Sequence, residues 1–296
     1  MPPQVKSREV HTDLSPQEYP RATWRLLNTG SADGATNMAT DEAILTAVTE
    51  GKSPPTLRFF AWEPPCLSIG YNQAMDEVNI TECQQAGVDV VRRPTGGRAI
   101  LHTDELTYSI VAPQSESRVA GGVVESYRRL SAGLVRGLRL LGVDVAQAGA
   151  GHGTVAPTGQ DADVSAACFD APSAYEVTAG GKKLVGSAQM RRKEAVLQHG
   201  SLPLQGDITR ICRYLVVPSE ERRQALRQEL RARATSLELV LGRVVPFAQV
   251  VEALVRGFSE ALNLHLEPGE LSGHELALVQ RFRREKYAAE VWNFRK

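Results

Sequence analysis

The 296-residue chain lacks net charge, with 34 Lys and Arg against 34 Asp and Glu, so bulk attraction to nucleic acid or to an acidic membrane is not its default mode of binding. It has only four cysteines, Cys66, Cys83, Cys168 and Cys212, far apart and without a Cys-x-x-Cys pair, which leaves out a structural zinc site or a dithiol redox centre. Residues 1–20 are polar and Pro-containing and have no apolar core, so no secretory signal is expected. Long hydrophobic runs are also missing. The most apolar stretch, Leu239 to Phe258, is broken by Arg243, Gln249, Glu252 and Arg256, and cannot span a bilayer at acceptable cost. There is no internal repeat. These absences lead us to expect a cytoplasmic protein with reduced thiols and neither a nucleic-acid nor a membrane partner.

What is present is 42% hydrophobic and 23% charged residues, enough for a sizeable core. The pattern predicts a flexible leader over 1–22, a main domain over 23–265 and a helical C-terminal tail over 266–296. Short β-rich runs punctuated by Gly, Pro, Asp and Asn lie at Trp24 to Asn28, Leu57 to Trp62, Leu67 to Tyr71, Val88 to Arg92, Ala99 to His102 and Leu106 to Ala112. Three more follow at Ser173 to Thr178, Lys182 to Met190 and Ala195 to Leu204, the first two joined as a hairpin by Gly180 and Gly181. Helices are predicted from Asn37, over 124–141 with Tyr127, Leu130, Leu134, Leu138 and Leu141 on one face, over Ser219 to Ala234, and over Phe247 to Leu262. A last helix opens at Ser272 with Glu275 three residues on, a capping-box pattern. The fold class is α+β, a mixed β-sheet flanked by helices.

Four segments can carry chemistry. Arg92 to His102 places Gly96 and Gly97 between Arg93 and Arg98, so exposed backbone N–H groups and guanidiniums can meet a phosphate or an acyl carbonyl; a hairpin turn with solvated arginines is the plain alternative. Cys168 closes a long aperiodic stretch over 146–167 and precedes a hairpin bearing Lys182 and Lys183, where an ammonium beside the thiol favours the thiolate. Against that stands the ordinary buried cysteine, the reading we keep for Cys66, Cys83 and Cys212. Lys183 is followed at once by the small residues Gly186, Ser187 and Ala188, suiting a cation over a shallow groove; exposed hairpin lysines are the alternative. His199 and Gly200 form the fourth segment, and a lone histidine defines no triad.

Together these segments resemble the lipoate–protein ligase and octanoyltransferase superfamily, whose catalytic fold is shared with biotin protein ligases, and within it the LipM-type octanoyltransferase branch. The resemblance runs in order through Asn37 to Glu42, Arg92 to His102, Asp104 to Ser109, Ala167 to Phe169, Gly181 to Gln189, Leu197 to Ser201 and the tail residues Lys286, Tyr287, Trp292 and Asn293. It implies transfer of an octanoyl group from octanoyl-acyl carrier protein to a lysine of a lipoyl domain, usually the H protein of the glycine cleavage system. It implies that Cys168 is the acyl-thioester nucleophile and that Lys183 lowers its pKa and stabilises the oxyanion. Substrate contacts are expected at Arg93, Thr95, Gly96, Gly97, Arg98, His102, Gly186, Ser187, Ala188, His199 and Gly200. No cofactor is expected, neither ATP nor a metal, since thioester exchange is nearly isoenergetic. The competing readings are an ATP-dependent lipoate or octanoate ligase, an amidotransferase between lipoyl domains and a non-catalytic acyl or lipoyl-domain binding module. Acidic partners call for a concentrated basic patch, with Arg92, Arg93, Arg98, Lys182, Lys183, Arg191, Arg192 and Lys193 as candidates.

Overall fold

The computed structural model describes residues 19–147, 176–192 and 194–295. Cys168, Lys193 and the stretch over 149–165 lie outside the described residues. Tyr19, within the expected leader, is buried, and its carbonyl accepts a hydrogen bond from Asn263 Nδ2 at 2.8 Å.

Eleven strands build two sheets among the described residues. They are β1 (Ala22–Ala32), β2 (Thr56–Trp62), β3 (Cys66–Ile69), β4 (Asp89–Arg92), β5 (Ile100–His102), β6 (Glu105–Pro113), β7 (Val145–Gln147), β8 (Val177–Ala179), β9 (Lys182–Arg191), β10 (Ala195–Pro203) and β11 (Leu264–Pro268). The large sheet runs β11-β1-β2-β6-β10-β9-β8-β7 and the small one β4-β3-β5. Both are mixed: β1 pairs parallel with β2 and β11, and β3 pairs parallel with β4, while the other pairs are antiparallel.

The helices are α1 (Gly34–Thr49), α2 (Ile80–Gln85), α3 (Val123–Leu140), α4 (Glu220–Arg233), α5 (Leu237–Leu241), α6 (Phe247–Leu262), α7 (Gly273–Phe282) and α8 (Glu290–Asn293). None of them is long and apolar enough to cross a membrane. One face of the large sheet packs on α3 and α6, burying Leu57 and Phe59 of β2, Tyr108 and Ile110 of β6, and Val196 of β10 against Leu130, Leu134, Leu254 and Phe258. The two helices cross at glycines: a Cβ on Gly257 would lie 2.2 Å from the Gly137 backbone nitrogen, so no larger residue fits there.

The other face packs on α1 and changes character along its length. At one end Leu27, Val111 and Leu197 meet Ile44, Leu45 and Val48. Toward the other, the same period-2 alternation presents Arg58, Thr107, Ser109, His199 and Ser201, all buried. That polar end of an interior face is where the candidate site forms.

The tail is built into this framework. The expected boundary at residue 265 falls inside β11, which extends the large sheet beside β1. Tyr287 and Lys286 both donate to Glu42 of α1 at 2.6 Å. The capping box at Ser272 forms as expected, with Ser272 Oγ accepting from Glu275 N at 3.2 Å and Glu275 Oε2 accepting from Ser272 N at 2.7 Å. The carboxylate also receives Arg25 through two guanidinium nitrogens, at 2.5 and 2.8 Å, and Ser53 at 2.9 Å.

Burial works against the Glu275 charge, but the hydrogen bonds from Arg25, Ser272 and Ser53 outweigh it and pull the carboxyl down to about 2. Its contribution to stability is therefore complete above its ordinary value of 4.5 and is lost as pH falls from there toward 2. Glu275→Gln is expected to cost about 2–3 kcal/mol at neutral pH. Urea unfolding at pH 7 and at about pH 3 should show that gap shrinking with acid; an equal gap at both would contradict the assignment.

Candidate active site

A cavity of about 40 Å³ lies between the α1 face of the large sheet and the small sheet. Its wall is Met38 of α1, Trp62 of β2, Ile100 and His102 of β5, Thr107 of β6, Gly186, Ser187 and Ala188 of β9, His199, Gly200 and Ser201 of β10, with Arg93 and Gly97 from the turn after β4. Eight of the expected contact residues, Arg93, Gly97, His102, Gly186, Ser187, Ala188, His199 and Gly200, thus meet around one space. Met38, Trp62, Ile100, Thr107 and Ser201 were not foreseen. A solitary side chain on a strand or helix gives no sign in sequence that it borders a cavity.

The Gly-rich turn is held by the arginine expected to meet a ligand. Arg93 is buried and donates to Ser68 O and Oγ at 2.7 Å, to Gly96 O at 3.2 Å and to Arg98 O at 2.9 Å. The Tyr71 N–H donates to Thr95 O at 2.8 Å, and Gly70 sits so close that a Cβ there would lie 1.8 Å from Gly97 O. With Gly97 at φ 95°, both glycines are required by backbone geometry. Arg98 turns away to Glu77 at 3.5 Å.

Two histidines flank the cavity in matching arrangements. His102 Nδ1 meets Glu105 Oε1, and its Nε2 lies 2.5 Å from Ser68 Oγ. Trp62 stacks on the His102 ring at 4.0 Å. Burial disfavours the Glu105 charge, but His102, Ser201 and Thr107 hold the carboxyl below the usual range. The second histidine, His199, places Nδ1 3.2 Å from Asp41 Oδ2 and Nε2 2.6 Å from Thr95 Oγ1. Here too burial is outweighed: Arg58, His199 and Ser109 hold the Asp41 carboxyl low. Burial pushes His199 below its ordinary value despite Asp41, so the ring is neutral at pH 7. At His199 the ionised carboxylate accepts from Nδ1–H, and Nε2 accepts from the Thr95 hydroxyl. Asp41 went unforeseen because 158 residues separate it from His199. Glu105, three residues after His102, carried the better local signal.

Lys183 is buried, with Nζ 2.6 Å from Glu176 Oε1, and is not among the described residues of the cavity wall. Glu176 was also missed. The expected basic patch does not form as drawn. Arg92, Arg93 and Lys183 are internal, Lys193 lies outside the described residues, Lys182 donates to Arg231 O at 2.7 Å, Arg191 to Val119 O at 3.1 Å, and Arg192 pairs with Glu42 at 2.7 Å. Arg92 spends its guanidinium on the carbonyls of Gly70, Tyr71, Gln73, Asn293 and Arg295, which fastens the tail to the turn after β3. Exposed arginines gather elsewhere, at Arg210, Arg213, Arg227 and Arg231 along a groove of about 740 Å³, each against a carboxylate.

A mixed sheet and a small sheet closing on a cavity lined by glycine backbone, Met38, Trp62, Ile100, small hydroxyl side chains, two histidines and Arg93 define a domain that can hold a small acyl group. The chain belongs to the lipoyl protein ligase A/B catalytic domain family, whose model matches residues 33–259. It is 48% identical to an octanoyltransferase LipM from Kyrpidia tusciae over 93% of this chain and 99% of that protein. It is 46% identical to another from Moorella thermoacetica over 92% of this chain and 98% of that one. Among solved structures it resembles a bi-partite lipoate protein ligase from Thermoplasma acidophilum, with TM-score 0.76, 26% identity and coverage of 92% and 96% of the two chains. It also resembles a lipoate-protein ligase A bound with ATP, with TM-score 0.73, 27% identity and coverage of 93% and 99%.

Proposed function

We propose that the chain is an octanoyltransferase of protein lipoylation. It takes the octanoyl group of octanoyl-acyl carrier protein onto Cys168 as a thioester and passes it to a lysine of a lipoyl domain, that of the glycine cleavage H protein. The observation that carries the reading is the 48% identity, over nearly the whole of both chains, to a relative named octanoyltransferase. Met38, Trp62 and Ile100 in the cavity wall offer apolar surface to an acyl tail. In the first step the Cys168 thiolate forms a C–S bond to the acyl carbon and the carrier thiolate leaves. In the second the acceptor amine forms a C–N bond, the Cys168 sulfur leaves, and the amine proton is released. One thioester replaces another and then becomes a more stable amide, so the sequence needs neither ATP nor a metal. Lys183 is assigned to the thiolate and to the developing oxyanion. Met38 is the most flexible member of the lining and can adapt its shape to an octanoyl tail.

Intact-mass spectrometry of the wild-type protein tests this. Octanoyl-carrier protein alone should yield one octanoyl adduct, which disappears when a lipoyl domain is added and reappears on that domain. An adduct-free protein that modifies the domain only with free octanoate and ATP would identify a ligase instead.

A further inference from the structure

Arg58 of β2, Ser109 of β6 and His199 of β10 stand directly opposite one another on three neighbouring strands. Asp41, projecting from α1, collects all three: Oδ1 accepts from Arg58 at 2.7 Å and Ser109 at 2.8 Å, and Oδ2 meets His199 Nδ1 at 3.2 Å. A carboxylate only accepts, so Nδ1 carries the ring proton and Nε2 is left to accept from the Thr95 hydroxyl. Thr95 belongs to the turn of Gly96 and Gly97. Arg93 and Tyr71 hold that turn from the small-sheet side, whereas the Thr95 hydroxyl reaches across to β10 in the large sheet.

We propose that Asp41 is a positioning residue for acyl transfer, which, by fixing the ring proton of His199 on Nδ1, latches the Gly96–Gly97 turn to β10 beside the acyl cavity. This rests on the octanoyl-transfer reading of the cavity. The latch joins the two sheets where the cavity lies between them, so the site's closed shape depends on a proton position set from α1. Arg58 makes the arrangement one-way. Its guanidinium is donor-only, so whatever side chain replaces Asp41 must turn an acceptor toward it.

That fixes what Asp41→Asn does. The amide oxygen stays on Arg58 and Ser109, the NH₂ faces His199, and the ring proton moves to Nε2. Thr95 must then accept, and its own proton is left to find another partner. Nitrogen-edited NMR of the ligand-free Asp41→Asn protein should show His199 protonated on Nε2, where the wild type is protonated on Nδ1. The kcat for octanoyl transfer should fall about ten- to a hundredfold, with KM for octanoyl-carrier protein nearly unchanged. Thr95→Val breaks the latch without disturbing the Arg58–Asp41 pair, so it decides the matter even if Asp41→Asn folds poorly. It should lose kcat to a similar extent, Thr95→Ser should recover most of that loss, and the Asp41→Asn/Thr95→Val protein should lose little more than either alone. A His199 proton that stays on Nδ1 in Asp41→Asn, or a Thr95→Val protein with wild-type kcat, would overturn the latch. The NMR measurement uses no substrate, so a wild-type protein that moves no octanoyl group would overturn the functional reading separately.

Discussion

A Cys168→Ala protein incubated with octanoyl-acyl carrier protein is expected to acquire no octanoyl adduct and to lose transfer to a lipoyl domain by about 10⁴-fold or more. Without the sulfur, the acceptor amine must meet the carrier thioester directly, and the two macromolecules must converge on one site at once. Lys183→Ala should fall by about 10²–10³-fold and retain a slow adduct, because it removes a charge and not a bond-forming atom. The two are told apart by pH. If Lys183 stabilises the thiolate, its removal raises the thiol pKa, and the rising limb of adduct formation moves to higher pH. Under that assignment Glu176, whose Oε1 lies 2.6 Å from Lys183 Nζ, would compete with the thiolate for the charge. Glu176→Gln should therefore shift the limb the opposite way. Time courses by intact mass across pH give all three results, and an octanoyl adduct on Cys168→Ala would remove the nucleophile assignment.

The helices legible in sequence are those whose residues face two environments. Helix α6 spans Phe247–Leu262 as expected because one of its faces is buried and the other wet. Helix α1 begins at Gly34, with Asp33 as its cap, earlier than the expected Asn37; it is buried nearly all round, so its apolar residues trace no stripe. Strand β11 was invisible because Leu264–Pro268 includes His265, Glu267 and Pro268 and pairs only at a sheet edge. Strand β7 is three residues long, too short for any alternation to register. At the site, the Gly-rich turn, His102 and His199 were legible as residue types. The His199 partner Asp41 was not, because tertiary folding supplies it across 158 residues, whereas Glu105 lies only three residues beyond His102. Arg92 and Arg93 carry a structural role that sequence does not show: a guanidinium that satisfies backbone carbonyls inside the fold reads in sequence like one waiting for a phosphate.

Arg58→Leu should be among the most destabilising single substitutions in the chain, costing about 3–5 kcal/mol, against a total stability of roughly 5–15 kcal/mol for a domain. Arg58 is 1% exposed, Asp41 is fully buried, and the guanidinium also donates to Asn37 Oδ1 at 2.8 Å and Thr29 Oγ1 at 2.9 Å while lying over the Phe60 ring. Removing it strands a carboxylate that, among the described residues, keeps its hydrogen bonds to Ser109 and His199. The buried charge has two ways out: Asp41 takes a proton, or His199 becomes an imidazolium. Both raise a folded-state pKa, so both make the variant gain stability relative to wild type as pH falls and lose it as pH rises. This is opposite in sign to the loss expected when Glu275 is protonated. Adding Asp41→Asn to Arg58→Leu removes the stranded charge, so the double variant should be more stable than Arg58→Leu alone and its extra pH dependence should vanish. Urea unfolding of the three proteins between about pH 5 and 8 measures both effects. A double variant no more stable than Arg58→Leu would mean that the cost lies in lost packing against Phe60 and not in the Asp41 charge.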